Sequence, residues 1–360
     1  QYFCGMNRLG RRDGMELNAP LKEGLVDNWD LMEQVWNHAL IERLGMQPRE
    51  HPVLLTEPSF NTKQIREKMT EFFFEKYEVP AFFIVKEAVS SCFANGRSTG
   101  LVLDCGGEIT TATPVHDGYA LKKGVMRTSL AGNRLSDEFY YQLQTKKQEI
   151  LPRYRVKRKV LDGKLEVQTL DFPNTHPSYE RYMVHKVMND LKESVGRVSE
   201  SNFEELASIS IPSVEYELPN GIIEVGSERF SVPECLFHPK GLHDQSQIGG
   251  EEPLMGLHEL VQKSASFCDV EARRDLLSNV VVCGGTSMMT GFIERLQKEI
   301  FALTSLNRLR VIAPNSNVEK HFSAWLGGSI LGSLGSFQQL WISKEEYGEF
   351  GKGLVERKAP

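Results

Sequence analysis

The sequence lacks three features that would each indicate a definite class of protein. Its six cysteines are scattered without a CxxC pair, so neither a zinc site nor a disulfide framework is indicated. No apolar run approaches the roughly 18 residues of a membrane-spanning helix. Positive charge is not in excess either, since the net charge is −6. A general attraction to nucleic acid or anionic lipid is therefore not indicated. Reduced thiols fit the cytosol or the nucleus.

The start of the chain lacks an initiator methionine and the pattern of a signal peptide. We therefore expect the sequence, which begins at Gln1, to be part of a longer chain. Its 360 residues, 40% of them hydrophobic, suffice to bury one large core or two.

Two glycine turns, far apart in the chain, are the most informative feature that is present. Gly106-Gly107 follows an apolar segment at residues 101–104, and Gly284-Gly285-Thr286 follows Val280–Cys283. Glycine lets the backbone turn tightly and approach a ligand, so that its N–H groups point at phosphate oxygens. A helix predicted at residues 292–296 adds a favourable dipole for an anion. Together the turns predict a nucleotide held in a cleft between two lobes.

The spacing of apolar residues predicts strands that alternate with helices. Helical spacing occurs at residues 65–73, 85–93 and 179–198, and strands with tight turns are predicted at residues 101–104, 109–115, 119–125 and 216–226. Asn61 or Thr62 is suited to cap the first helix, and Ser343 opens the last one with a capping box. This alternation indicates an α/β fold in which helices cover a sheet.

A basic segment, residues 153–159, stands out from the rest of the chain. It is followed by Asp162-Gly163, which predicts a hairpin turn. Such a segment suits nucleic acid phosphates or an acidic partner. It suits a solvated face of a peripheral lobe better, and this is the interpretation we favour.

Nearly the whole chain resembles actin in the order and spacing of its motifs, which lie at residues 51–57, 104–107, 114–119, 129–132, 216–219, 228–230, 284–286 and 341–344. The resemblance implies an α/β, actin-like (ribonuclease H-like) two-lobed ATPase fold, shared with sugar kinases and chaperone ATPases. Actins open with a strand–turn–strand that supplies a first phosphate loop, and we expect this hairpin to be absent from the sequence.

Within the superfamily, residues 93–101, 116–118 and 356–360 look like the nuclear actin-related protein 4 class. That class supplies actin-like subunits to chromatin-remodelling and histone acetyltransferase complexes, so a nuclear location is implied. The resemblance also implies subdomain boundaries: residues 1–94 with 323–360 for subdomain 1 and a remnant of subdomain 2, residues 95–130 with 251–322 for subdomain 3, and residues 131–250 for subdomain 4.

Residues that match the nucleotide site of actins support binding. Asp104 matches an aspartate that faces a divalent cation through metal-bound waters. The resemblance assigns phosphate, adenine and ribose contacts to Gly106, Gly107, Lys192, Glu193, Gly284, Gly285, Thr286 and Met288. ATP is therefore expected as a structural ligand, although the site can stay empty where the first phosphate loop is missing.

Residues that match the hydrolytic parts of actins depart from the pattern. Glu87 stands in place of the glutamine that orients the attacking water, and Thr111 replaces a histidine near that water. Gly107 replaces an aspartate, and Glu108 adds a like charge beside polyphosphate. His321 and Met289 replace the lysine and tyrosine that flank adenine. We therefore expect no catalysis, although a carboxylate such as Glu87 can in principle act as a general base.

A second candidate site is the groove in which actins bind an amphipathic helix of a partner. Its matching positions are Phe93, Gly96, Ser98, Gly118, Tyr119, Leu331, Leu334, Ser336 and Leu340. The resemblance implies a scaffold helix of a remodeller ATPase or acetyltransferase as occupant, with actin bound alongside. It leaves open whether histones or nucleosomal DNA are contacted. The alternative for Leu331 and Leu334 is that both pack in the core.

Two rival functions remain at this point. The first is a polymerising actin-like ATPase of the cytoskeleton, against which Glu87 and Thr111 argue. The second is a small-molecule kinase of the same fold, which needs a carboxylate base and a polar sugar pocket. The sequence offers no clear candidate for either of these parts.

Overall fold

The structure, a computed structural model, describes residues 4–5, 13–161, 164–203, 211–243, 254–304 and 308–360. Its strands are β1 Leu21–Lys22, β2 Leu25–Val26, β3 Val53–Glu57, β4 Ala81–Lys86, β5 Gly100–Cys105, β6 Thr110–His116, β7 Tyr119–Ala120, β8 Met126–Thr128, β9 Val156–Leu161, β10 Lys164–Thr169, β11 Val214–Leu218, β12 Gly221–Val225, β13 Val280–Cys283, β14 Val311–Ile312 and β15 Ile342–Ser343.

The helices are α1 Trp29–Trp36, α2 Lys63–Glu71, α3 Glu87–Ala94, α4 Gly132–Thr145, α5 Pro177–Val195, α6 Glu228–Glu234, α7 Leu257–Ser266, α8 Val270–Leu277, α9 Phe292–Thr304, α10 Asn317–His321, α11 Ser323–Ser333, α12 Lys344–Phe350 and α13 Val355–Lys358. Across the described ranges, none of the helices is long and apolar enough to cross a membrane.

Two sheets organise the fold. The larger has the order β14-β13-β5-β6-β7, with β8 also paired to β6. Strands β5, β13 and β14 are parallel, whereas β6 runs antiparallel to β5. The smaller sheet has the order β15-β4-β3, with β3 and β4 parallel. The strands of the smaller sheet fall in the segments predicted as subdomain 1 and those of the larger in subdomain 3, while the boundaries themselves stay a prediction.

The larger sheet is buried on both faces, which places it between two hydrophobic clusters. Leu101 and Leu103 on β5 point into a cluster that includes residues of α4, α5, α7 and α9. Val102, between them, points into the other cluster, with residues of β4, α3 and α11. Because successive side chains of a strand alternate between faces, one apolar strand serves both cores.

The caps predicted from the sequence are confirmed. The Thr62 hydroxyl accepts a hydrogen bond from the Ile65 amide at 3.3 Å, where α2 begins. Ser343 and Glu346 form the capping box of α12, with bonds of 2.9 and 3.2 Å. These are local interactions within one turn, which is why the sequence alone reveals them.

Two elements differ from the sequence prediction. The helix expected from Val85 begins at Glu87, because Ala81–Lys86 form the buried strand β4. An apolar run buried on both faces has no period that separates a strand from a helix. The strand expected at residues 119–125 is broken by a turn at Lys122–Gly124. A Cβ at Gly124 would lie 2.6 Å from Pro114, so this turn packs closely against β6.

The basic segment begins with a 3-10 turn, Arg153–Arg155, and continues into β9 of the β9–β10 hairpin, whose turn at Asp162-Gly163 lies outside the described residues. Arg155 pairs with Glu180 at 2.9 Å, and Arg158 donates to the Pro219 carbonyl at 2.8 Å and pairs with Glu217. Two of its cations are thus bound by groups of the protein itself. This supports the interpretation of a peripheral face rather than a nucleic acid surface.

The contact between α3 and α11 gives a stability prediction. A Cβ at Gly327 would lie 1.8 Å from the Ser90 carbonyl oxygen, whereas nothing lies within 4 Å at Gly332 on the same helix. Gly327→Ala should therefore destabilise the fold by about 2 kcal/mol through overpacking. Gly332→Ala should stabilise it by about 0.5 kcal/mol through helix propensity. Urea unfolding followed by circular dichroism measures both, and equal midpoints for the two variants would contradict the packing.

Candidate nucleotide cleft and partner groove

The two glycine turns meet at the ends of neighbouring strands. The parallel register of β5 and β13 places Cys283 opposite Asp104, so the turns that follow lie side by side. Gly284 has φ +88°, and a Cβ there would lie 2.4 Å from both Asp104 Oδ1 and the Cys105 carbonyl oxygen. Both the backbone angle and the close approach require glycine at this position.

The first turn is held by the second turn and by the start of α4. Thr286 Oγ1 donates to the Gly106 carbonyl at 2.7 Å, and the Gly132 amide donates to the same oxygen at 3.1 Å. The Asn133 amide donates to the Gly107 carbonyl at 2.6 Å. Gly132 and Asn133 were missed as site residues, although Gly132 lies in the motif at residues 129–132. No local pattern in the sequence indicates that α4 packs against the turn.

The helix predicted at residues 292–296 is confirmed as α9, which starts at Phe292. A short 3-10 turn, Gly285–Met288, separates it from the second glycine turn. The Gly284 amide is also engaged, since it donates to the Lys320 carbonyl at 3.0 Å. The helix N-terminus that contacts the paired turns is therefore that of α4, which corrects the predicted role of the segment at Phe292.

The two residues matched to adenine and ribose contacts, Lys192 and Glu193, lie on α5, and Met288 lies at the end of the second turn. Lys192 is buried on α5 and donates through Nζ to the Gly132 carbonyl and to Asn189 Oδ1, each at 2.9 Å. Burial lowers the pKa of Lys192. Glu193 is exposed, and Met288 lies half-buried beside Gly285. In this arrangement the Lys192 ammonium group holds the start of α4 in place through the Gly132 carbonyl.

Two carboxyl groups, those of Glu87 and Asp104, interact near the first glycine turn. Burial, then the nearby Asp104 and Glu57, raises the pKa of Glu87 to about 8, while Lys86 opposes the shift. Burial also raises the pKa of Asp104, against a hydrogen bond with Cys283 and the charge of His321. Uptake of a proton or binding of a cation is favourable at this site, because either one reduces the repulsion between the two carboxylates.

A divalent cation fits this site only through water or ligand oxygens. Across the described ranges, no group of three or more His, Cys, Asp or Glu residues is placed to hold a metal ion directly. Asp104 offers a hard carboxylate oxygen at the turns, which suits a hydrated magnesium ion beside phosphate. The carboxylate of Glu108 is held by the Glu23 amide, which donates to its Oε1 at 3.3 Å. Thr111 is paired opposite Asp104 on β6 and is buried.

One side of the predicted groove is assembled around Phe93. The Gly118 amide donates to the Ser98 carbonyl at 2.7 Å, and a Cβ at Gly118 would lie 3.7 Å from the Phe93 ring. Gly96 ends α3 with φ +65°, and Tyr119 is 61% exposed. The structure therefore brings these five residues into one region beside the end of α3.

The other predicted groove residues lie on α11 and in the turn after it. Leu334 and Leu340 are exposed, as is Ser336. Leu331 is only 8% exposed and belongs to the core cluster, so core packing is the role that its burial supports. Its neighbour Ile330, which the sequence comparison missed, is exposed instead. The rotation of α11 about its own axis decides which of the two side chains faces the core. The sequence alone does not reveal that rotation.

With this geometry established, comparison with known proteins identifies the class. A family model described as Actin matches residues 1–360, and the chain belongs to the actin family. The actin-like fold expected from the motifs is thereby confirmed.

Particular relatives then refine the resemblance. The chain is 46% identical over 366 residues to "Actin-related protein 4" of Oryza sativa subsp. indica, which covers 100% of this chain and 83% of the relative. It is 44% identical over 359 residues to "Actin-related protein 4" of Arabidopsis thaliana, with coverages of 97% and 81%. It is also 36% identical over 354 residues to "SWI/SNF and RSC complexes subunit arp42" of Schizosaccharomyces pombe, with coverages of 94% and 84%. The resemblance to the actin-related protein 4 class is confirmed.

The carboxyl pair predicts a pH dependence of stability. The pKa of Glu87 rises from 4.5 to about 8 on folding, so its stabilising contribution is complete below pH 4.5 and is lost as the pH rises through 8. Glu87→Gln, which keeps a neutral side chain, should gain stability relative to the native chain over this interval. Thermal unfolding midpoints between pH 5 and 8.5, without divalent cations, measure the difference. A difference that stays constant or shrinks with pH would contradict the raised pKa.

Proposed function

We propose that this chain is a non-catalytic structural subunit of a nuclear chromatin-remodelling or histone acetyltransferase complex. The relatives support this function, since one of them is named as a subunit of the SWI/SNF and RSC complexes. The observation that carries the proposal is the exposure of Tyr119, Leu334 and Leu340, three of the apolar residues of the predicted groove. Exposed apolar side chains beside small residues suit the apolar face of an amphipathic helix.

The occupant we propose is a long scaffold helix of the remodeller ATPase or acetyltransferase, with actin bound alongside on the same helix. Exposed leucines that contribute little to the core of the isolated chain gain apolar burial when such a helix binds. Gly96 and Gly118 leave room for the helix to approach the backbone. Contacts with histones or nucleosomal DNA would then be indirect, through the assembled complex.

We further propose that ATP, with a divalent cation held through water at Asp104, acts as a structural ligand. A ligand that binds only the native state stabilises it by mass action. The Thr286 hydroxyl and the Gly132 amide both bond the Gly106 carbonyl and so hold the two glycine turns together. The Gly106 and Gly284 amides would donate to phosphate after releasing their present backbone carbonyl partners. Hydrolysis lacks support, since Glu87 and Thr111 stand where the resemblance to actins places the glutamine and the histidine near the attacking water.

The groove is tested by co-expression with monomeric actin and the scaffold helix. Size-exclusion chromatography should give a stable 1:1:1 complex. Leu334→Asp should weaken it at least tenfold, about 1.4 kcal/mol, because a charge is then buried against the helix.

The matched control is Leu303→Asp on α9, because Leu303 and Leu334 are 41% and 42% exposed. The control should assemble like the native chain. Equal loss of the complex in both variants, or no complex with a folded native chain, would argue against the groove and favour the ATPase alternatives.

The role of the nucleotide is tested separately. ATP with Mg²⁺ at a hundredfold excess over its dissociation constant should stabilise the chain by about 2.7 kcal/mol. Phosphate release should stay at the level of the buffer, and light scattering should show no filaments. Steady phosphate release, or scattering that rises with protein concentration, would instead support the polymerising ATPase.

A further inference from the structure

A cavity of about 340 Å³ lies beside α2, and its lining includes no residue of either glycine turn. Its wall includes Ser59, Lys63, Arg66, Lys86, Lys122 and Glu356, which come from four separate parts of the chain. Four of these six side chains are basic and one is acidic. The cavity thus has a positive lining in a chain whose net charge is negative.

The buried part of this lining is internally paired. Glu57 Oε1 accepts from Arg66 Nε at 2.8 Å and from Lys86 Nζ at 2.7 Å. Glu356 Oε1 lies 2.5 Å from an Arg66 guanidinium nitrogen. Two carboxylates therefore balance two cations, which leaves the other two lysines of the wall as an excess of positive charge.

The positive charges of the two remaining lysines, Lys63 and Lys122, are little compensated by nearby carboxylates. Lys63 lies 3.7 Å from Glu67 at an exposed site, where an ion pair contributes little. The Lys122 ammonium group forms neither an ion pair nor a hydrogen bond within the part of the chain that the structure describes, and only the backbone carbonyl of this residue is bonded, by the Val125 amide. Burial lowers the pKa of Lys86, and the charges of Arg66 and Lys122 act in the same direction, so these cations repel one another across the cavity.

A neutral hydroxyl group of the wall is also unsatisfied. Ser59 is 6% exposed, and none of the described residues forms a hydrogen bond with its hydroxyl oxygen. A buried hydroxyl without a partner costs free energy, and a bound oxyanion would satisfy it after a small rotation.

We propose that this cavity binds a small phosphate anion, either inorganic phosphate or the head of a phosphomonoester. Phosphate oxygens accept several charge-assisted hydrogen bonds at once, which suits lysine and arginine donors converging from different elements. The volume exceeds that of one phosphate group, so an ester substituent also has room. The site is independent of the helix groove and of the proposed assembly.

The experiment is a titration followed by ³¹P NMR at constant ionic strength, with inorganic phosphate in one arm and O-phosphoserine in the other. Lys122→Ala should weaken binding at least fivefold. The adjacent Lys123→Ala is the matched control, because Lys123 is also exposed but does not line the cavity. Glu356→Gln should tighten binding by a similar factor, since it removes the negative charge of the wall while keeping its shape.

Opposite effects of Lys122→Ala and Glu356→Gln on the dissociation constant would support the site. A general destabilisation of the fold would instead weaken binding in both variants. Binding in only the inorganic arm identifies the free anion, and equal or tighter binding of O-phosphoserine identifies a phosphomonoester. No saturable binding by the native chain overturns the proposal. So does an unchanged constant in all three variants, which would place the anion in the nucleotide cleft instead.

Discussion

The parallel pairing of β5 with β13 is the constraint on which the cleft depends. It joins segments about 180 residues apart and fixes Cys283 opposite Asp104, so the two glycine turns emerge together. Once they are adjacent, Gly284 has no room for a side chain, and the Thr286 hydroxyl closes the gap between the turns. The start of α4 then completes the cradle. A shift of this register by one residue would separate the turn amides and disrupt the cradle.

Charge is distributed unevenly around the junction of β4 and α3. Lys86 ends the strand and pairs with Glu57, whereas Glu87 begins the helix and interacts with Asp104. Adjacent residues thus serve an acidic cleft and a basic cavity, with Glu57 acting on both. The acidic side favours a proton or a hydrated cation, and the basic side favours an anion. The small sheet of β3, β4 and β15 therefore connects two sites of opposite charge.

Much of the fold follows from local signals, and the failures have a common cause. The caps at Thr62 and Ser343 were predictable because each depends on a few adjacent residues. The boundary between β4 and α3 was not, because residues buried on every face leave no periodic pattern. In the same way, Leu331 and Ile330 are adjacent and equally apolar. Only the packing of α11 shows that one is in the core and the other is exposed.

The sequence by itself determined that two glycine turns follow two apolar strands, and its motifs determined the family. The sequence suffices for these two features because a glycine turn and a motif each depend on residues that are close together in the chain. Tertiary structure alone decided that Lys192 braces a loop, that the Glu87 carboxyl has a raised pKa, and that basic residues around Lys122 share a cavity. Burial and charge interactions depend on groups distant in the chain, and these distances exist only after folding.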